Sequence, residues 1–372
     1  MQSLSTVKSR LLFLATISIC LVAGQSLAAS TQPNKIFGRI VFVIPNGAQP
    51  PKGYEQKIRS IATRTEKYFS EWMSYWDYPI EREHIFTRNS KGEIHIELVK
   101  ATLPAKAQGS SVGDLKNLAI RHARARMKLG KQHKAVWWVF YKYPGVKGFH
   151  GGGNADGGKA VNEYPSSSQK ISADVDLASA AVNETKIKAM IHEFGHALGL
   201  PHNGPLKGLD LGNSLMGPTT PNFRRKSKSK DERVYLNKAS AALIWKHPIF
   251  RKEGQRRASK PSKFGVIKLS CRENEKGIIS LKGKLLSDRQ IHSAVVFDSA
   301  TGKYGNYWIR SNATRVDASG DFELKFWSPN NGGRLFLQFC FDDGYNTGDG
   351  KKQKTQIKIP YTGKPGSRKF QL

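Results

Sequence analysis

Two hydrophobic periods divide this chain of 372 residues. Residues 36–45 (IFGRIVFVIP) read as a first strand. From Tyr54 to about Tyr75, Ile58, Ile61, Ala62, Tyr68, Phe69 and Trp72 recur near i, i+3, i+4 spacing, which predicts a helix. Ile94 to Val99 alternates apolar and polar, a second strand. Asp114 to Leu129 follows Gly113 and reads as a basic helix capped by Asp114. Ala135 to Tyr141 (AVWWVFY) is a buried third strand. The glycine-rich run Gly148–Gly158 reads as a loop with close backbone approach; no strand–GxGxxG–helix context makes it a phosphate cradle. Short strands are expected at Lys159–Tyr164 and Ile171–Asp176. Asn183–Leu200 reads as a helix with Ile187, Met190, Ile191 and Phe194 on its apolar face, and Leu236–Trp245 as a later one. Strands alternating with helices predict an α/β layer with a mostly parallel twisted sheet.

Beyond Phe264 the pattern becomes short alternating runs broken by Gly, Asp and Asn, among them Val266–Leu269, Ala294–Phe297, Phe322–Trp327 and Leu335–Phe341. That spacing predicts an all-β sandwich of about seven or eight strands. The expected organisation is a signal peptide at 1–29, an α/β catalytic domain at 30–253, a basic linker at 254–263 and the β-sandwich accessory domain at 264–372.

The first segment has Lys8 and Arg10, then an apolar run from Leu11 to Ala23, then Ser26-Leu27-Ala28 as a small-residue cleavage site. This is a secretory pattern, and the run is short for a membrane span. The expectation is a secreted or periplasmic/extracellular protein, not an integral membrane one. The first strand starts soon after that site, and no cysteine lies there to cap a metal, so a cysteine-switch latency is not expected. Removing Cys20 with the signal leaves Cys271 and Cys340, two candidates for a disulfide in an oxidising compartment. A formal charge of +31 favours polyanionic partners, acidic polysaccharide or an anionic cell surface above all. No nucleic-acid motif accompanies the charge, so no specific nucleic acid is expected. Its densest runs, Arg224–Lys230 and Arg256–Lys263, read as a solvated loop and linker.

The chemistry concentrates in His192-Glu193-Phe194-Gly195-His196-Ala197-Leu198-Gly199-Leu200-Pro201-His202, an HExxHxxGxxH pattern. Helical residues at i and i+4 share a face, so His192 and His196 can hold one metal ion. Glu193 projects beside that ion and can take a proton from a zinc-bound water. Gly199 can end the helix and turn the chain, Pro201 opposes its continuation, and His202 swings back as third ligand. Three neutral imidazoles leave one position open on a Zn²⁺ and suit hydrolysis.

This pattern resembles the metzincin metallopeptidases, and within them the matrixin-like branch. Asn213-Ser214-Leu215-Met216-Gly217-Pro218 is similar to the family's methionine turn, after a longer gap than is usual and with Gly217 where matrixins tend to have tyrosine. The resemblance implies a secreted zinc endopeptidase acting on protein or peptide substrates. It implies Met216 as a hydrophobic floor under the imidazoles, and Gly217–Pro221 as a wall of the pocket for the residue after the scissile bond. It also implies Lys159–Tyr164 as the substrate-binding edge strand. The matrixins' structural zinc is not carried over, because His150 is the one histidine near its position. Asn154, Asp156, Asp174 and Asp176 are oxygen donors that could bind calcium, but the preferred reading is that they are polar loop residues. The alternative reading is an inactive peptidase fold acting as a basic glycan- or surface-binding module.

Overall fold

In the computed structural model, the described residues are 36–103, 112–130, 133–166, 171–172, 177, 186–205, 211–228, 233–252, 260–303, 306–348 and 356–372. The predicted signal, most of the predicted linker, residues 173–176 of the expected strand with Asp174 and Asp176, and the first residues of the expected helix at Asn183 lie outside them; Ile171 and Ser172, which are described, are not in a strand.

Strands β1 (Gly38–Pro45), β2 (Ile96–Ala101), β3 (Val136–Tyr141), β4 (His150–Asn154) and β5 (Gly157–Glu163) form one sheet. Their order is β2–β1–β3–β5–β4. The first four of these pair in parallel, and β4 runs antiparallel along the edge of β5. Helices α1 (Tyr54–Tyr75), α2 (Val112–Arg126) and α3 (Ile187–Ala197) cover it. Alternate residues explain the layering. Ile40, Phe42 and Ile44 of β1 join Ile58, Ile61 and Phe69 of α1 and Ile191 and Phe194 of α3 on one side. Val41 and Val43 join Leu115, Ala119 and Ala123 of α2 on the other. Apolar side chains on both faces account for the nearly unbroken hydrophobic runs.

Two expectations change here. Helix α2 begins at Val112, so Asp114 lies in its first turn rather than capping it. The glycine-rich segment is not a loop: His150–Asn154 is the edge strand, and β5 lies inside it. The close approach inferred from its glycines is real. A Cβ on Gly151 would lie 2.2 Å from Glu193 O, and one on Gly153 or Gly158 would lie 2.0 Å from Ala197 O. The missing side chains let α3 press its backbone onto the sheet.

The segment after α3 carries β6 (Asn213–Ser214), α4 (Thr220–Ser227), β7 (Val234–Tyr235), α5 (Lys238–Ile244) and a 3₁₀ turn (Pro248–Phe250). Strands β8 (Phe264–Glu273), β9 (Ile278–Ser287), β10 (Ile291–Ser299), β11 (Arg310–Arg315), β12 (Asp321–Trp327), β13 (Gly332–Phe341), β14 (Ile357–Thr362) and β15 (Lys369–Phe370) follow. They form an antiparallel five-stranded sheet, β11–β10–β13–β14–β15, and a three-stranded one, β12–β9–β8. Ala294, Val296, Leu335 and Leu337 face the inter-sheet core. Val295, Phe297, Phe336 and Cys340 face the other way and merge with the core of the α/β layer. Lys35–Leu372 is accordingly one compact unit.

The same alternation separates the cysteines. Cys271 belongs to the core between the two sheets, and Cys340 to the face against the α/β layer. Both are buried thiols, and the candidate disulfide is not formed. No helix among the described residues is long and apolar enough to cross a membrane.

Candidate metal centre and adjoining cleft

Helix α3 presents His192, Glu193 and His196, and its end is shaped to bring His202 back. Gly199 has φ +90°, Leu200 N donates to Gly195 O (3.0 Å) and Gly199 N to His196 O (2.9 Å). These two bonds are a Schellman stop, which the left-handed glycine permits. The imidazole centroids of His192 and His202 lie 4.6 Å and 4.6 Å from that of His196. One nitrogen from each of the three rings falls within 4.8 Å of the others. Among the described residues this is the one cluster of three or more such side chains able to hold a metal ion.

The donor set fits a divalent cation. His192 Nδ1 donates to Leu215 O (2.8 Å) and His196 Nδ1 to Leu200 O (2.7 Å). Those bonds place the proton on Nδ1 and leave Nε2 as the ligand atom. Nε2 of His196 then lies 2.9 Å from Nε2 of His202, an approach that a shared cation favours. Burial holds the His192 pKa well below its ordinary value and takes His196 down to about 4, helped by His202. Both rings are therefore neutral near pH 7, the form that ligates metal.

Met216 is fully buried, and a Cβ on Gly195 would lie 2.7 Å from its sulfur. The glycine inside the histidine motif thus makes room for the methionine. The same turn offers Leu215 O to His192. Asn203, directly after the third histidine, ties the pieces together. Its N donates to Met216 O (3.2 Å), its Nδ2 to Ser240 Oγ (2.7 Å), and its Oδ1 accepts from Ser214 Oγ (2.9 Å).

Glu193 is half-buried, and burial pushes its carboxyl up to about 7, against a smaller opposing pull from Lys116. A base with that pKa can both take and return a proton near neutral pH. Lys116 Nζ itself lies 2.8 Å from His150 Nδ1, at the start of the edge strand.

A cleft of about 520 Å³ opens beside Glu193 and His192. Gly217, Thr219, Thr220 and Pro221 are among the residues that line it. Sequence reasoning missed several residues of this site. Lys188 lines the cleft, buried on α3, with Nζ donating to Pro218 O (2.5 Å). Desolvation lowers its pKa to about 7. The run from Arg224 is not wholly a solvated loop: Thr220–Ser227 is helical and Arg224 reaches the cleft. Tyr307, in the connection between β10 and β11, stacks on His202 with centroids 3.8 Å apart and an interplanar angle of 27°. The sandwich therefore contributes directly to the site. Next to Tyr307, Ile309 O accepts from Gly204 N (2.7 Å), and Lys226 Nζ lies 5.1 Å from the Trp308 ring centroid. No sequence signal pointed to Tyr307. The spacing of Lys188, one turn before His192, was visible but unremarkable.

The calcium expectation finds little in the described part. Asn154 Oδ1 accepts from Asp156 N (2.8 Å) within the β4–β5 turn, and Asp156 lies 4.0 Å from Lys134. A second cleft, about 570 Å³, lies on the sandwich among side chains of both charges.

No protein-family model matches the sequence, and no curated protein matches it. The fold is similar to solved structures. Wild-type OgpA from Akkermansia muciniphila has a TM-score of 0.68 at 18% identity, covering 94% of this chain and 98% of that one. A catalytically inactive OgpA in complex with an O-glycopeptide substrate, glycodrosocin, has a TM-score of 0.67 at 18% identity, over 94% and 99%. The likeness thus spans both the α/β layer and the sandwich, and it is a likeness of fold.

Proposed function

We propose that this chain is a secreted or periplasmic zinc-dependent endopeptidase of the metzincin type, matrixin-like in its motif, whose substrates are polypeptides and O-glycopeptides. The observation that carries the reading is the convergence of three imidazoles around one point, two of them held neutral by burial, with Glu193 next to His192 on the same helix. The O-glycopeptide held by OgpA, a neighbour in fold, supports the choice of substrate class.

His192, His196 and His202 would hold the metal through nitrogens, two of them oriented by carbonyl acceptors. A zinc ion so held supplies Lewis acidity for the scissile carbonyl and lowers the pKa of water. Glu193 accepts one proton from the attacking water as its oxygen bonds to the carbonyl carbon. Glu193 then returns that proton to the leaving nitrogen as the C–N bond breaks, so the carboxylate is regenerated. Substrate lies along the β4 edge, where main-chain hydrogen bonds are available to an extended peptide. Tyr307 and the wall from Gly217 to Pro221 hold the residue after the scissile bond.

The test is cleavage of denatured casein and of an O-glycosylated peptide beside its unglycosylated twin, with and without a chelator. Cleavage that chelation removes and zinc restores is the expected result. One metal per chain with no cleavage of any substrate would favour the binding-module alternative. Absence of bound metal after purification in zinc would overturn the reading.

A further inference from the structure

The cleft beside the metal centre is cationic to a degree that the hydrolytic chemistry does not need. Lys186, Lys188 and Arg224 line it, and among the described residues Glu193 is the one carboxylate in its lining. Lys188 is the telling group. It is buried, Pro218 O is the acceptor for its Nζ, and desolvation is the one cause behind its lowered pKa. Among the described residues no carboxylate pairs with it. A buried ammonium without a counter-ion is costly, and an anion entering the cleft would offset that cost.

Two helix starts reinforce the field. Helix α3 begins beside Lys186, and α4 begins beside Thr219, and both residues line the cleft. Neither helix start has a side-chain cap, so the free first-turn amides, Pro221 excepted, add positive potential near the cleft. Apart from His192 and Thr220, the remaining described lining is Phe149, Ala189, Gly217, Pro221 and Tyr307. The cleft thus sets three cationic side chains among apolar and aromatic ones, and its volume of about 520 Å³ lies within the range of ordinary ligand pockets.

We propose that this cleft selects a carboxylate on the substrate, immediately after the scissile bond, with Lys188 and Arg224 as the specificity-determining residues. This rests on the peptidase reading above. The carboxylate has two sources: an Asp or Glu side chain, or an acidic sugar on a glycosylated Ser or Thr at that position. A charge-assisted hydrogen bond to Lys188 favours either one over its neutral counterpart.

The experiment measures kcat/KM for fluorogenic peptides that differ only in the residue after the cleaved bond. One arm compares Glu with Gln, and the other compares a sialylated O-glycan with its asialo form. In at least one arm the acidic substrate is expected to be about tenfold better. That ratio is expected to fall towards one in Lys188→Met and in Arg224→Gln, the latter being half-buried on α4 and so a safeguard if Lys188→Met misfolds. The arm that responds identifies the source of the carboxylate. Equal rates for acidic and neutral substrates in both arms would overturn the proposal, as would a preference that survives in both variants. If no peptide is cleaved, the peptidase reading fails, and the affinity of the same labelled peptides for the parent protein decides. Tighter binding of the acidic members that Lys188→Met abolishes upholds the anion site; equal binding rejects it.

Discussion

The helix side and the sandwich side of the cleft are built on different length scales. On the helix side, His192, Glu193, Gly195, His196, Gly199 and His202 lie within one short segment. Their positions follow from helical periodicity and a glycine stop, so local sequence specifies the metal-binding geometry. On the sandwich side, Tyr307 reaches His202 only because β10 and β13 pack a second apolar face onto the α/β layer. The helix side can bind metal, while the sandwich side fixes the shape of what lies next to it. Metal affinity and substrate selection should therefore respond separately to mutation.

The largest expected separation is between the two faces themselves. His202→Ala removes one of three ligands, so zinc content is expected to fall well below one per chain and turnover by about a thousandfold or more. Elemental analysis beside kinetics checks both.

Packing on the helix side offers a sharper contrast. A Cβ on Gly158 would meet the backbone oxygen of Ala197 at 2.0 Å, whereas one on Gly152 meets nothing within 4 Å. Gly158→Ala should destabilise the fold by about 3 kcal/mol, and Gly152→Ala by less than about 0.5 kcal/mol. Urea unfolding midpoints report the difference; equal midpoints would mean that α3 does not depend on that close approach.

A pH prediction belongs to the same side. His247 is buried, its Nδ1 accepts from Ile249 N (3.2 Å) and its Nε2 donates to Asn154 O (3.1 Å), a pattern that only the neutral ring satisfies. Burial takes its pKa down to about 4 from an ordinary 6.5. The unfolded chain then binds the proton more readily, so stability present above pH 6.5 is lost as pH falls towards 4. The loss reaches about 3 kcal/mol. Urea midpoints of the parent and of His247→Gln across that window should converge as pH falls; parallel curves would mean that another group dominates.

The smallest effect is expected on the sandwich side. Tyr307→Ala is expected to keep one zinc per chain and to lower kcat/KM about tenfold, since an aromatic stacking contact contributes about 0.5–1.5 kcal/mol. Loss of zinc in this variant would erase the distinction drawn between the two sides.

These scales also explain what could be read in advance. The first helix, Tyr54–Tyr75, matches its expected bounds because its apolar stripe is regular. The histidine motif was legible because its chemistry is local. His150–Asn154 was misread because glycines carry no hydrophobic alternation; there they serve helix–sheet contact instead. The arrangement of the sandwich had one overlooked signal. Strand β10 is buried at every position and β13 over most of its length, so both faces are covered, unlike β12, which alternates buried with exposed. Unbroken apolar runs in an antiparallel sheet point to a layer on each side. Tyr307 had no such signal, because its role depends on where two distant segments meet.

The most direct test of the central claim is kcat/KM of Glu193→Gln beside the parent, with zinc content and unfolding midpoint matched. The account predicts retained zinc, a retained fold and a loss of about a thousandfold, within the range for removal of a general base. A Glu193→Gln protein that cleaves within about twofold of the parent would contradict it.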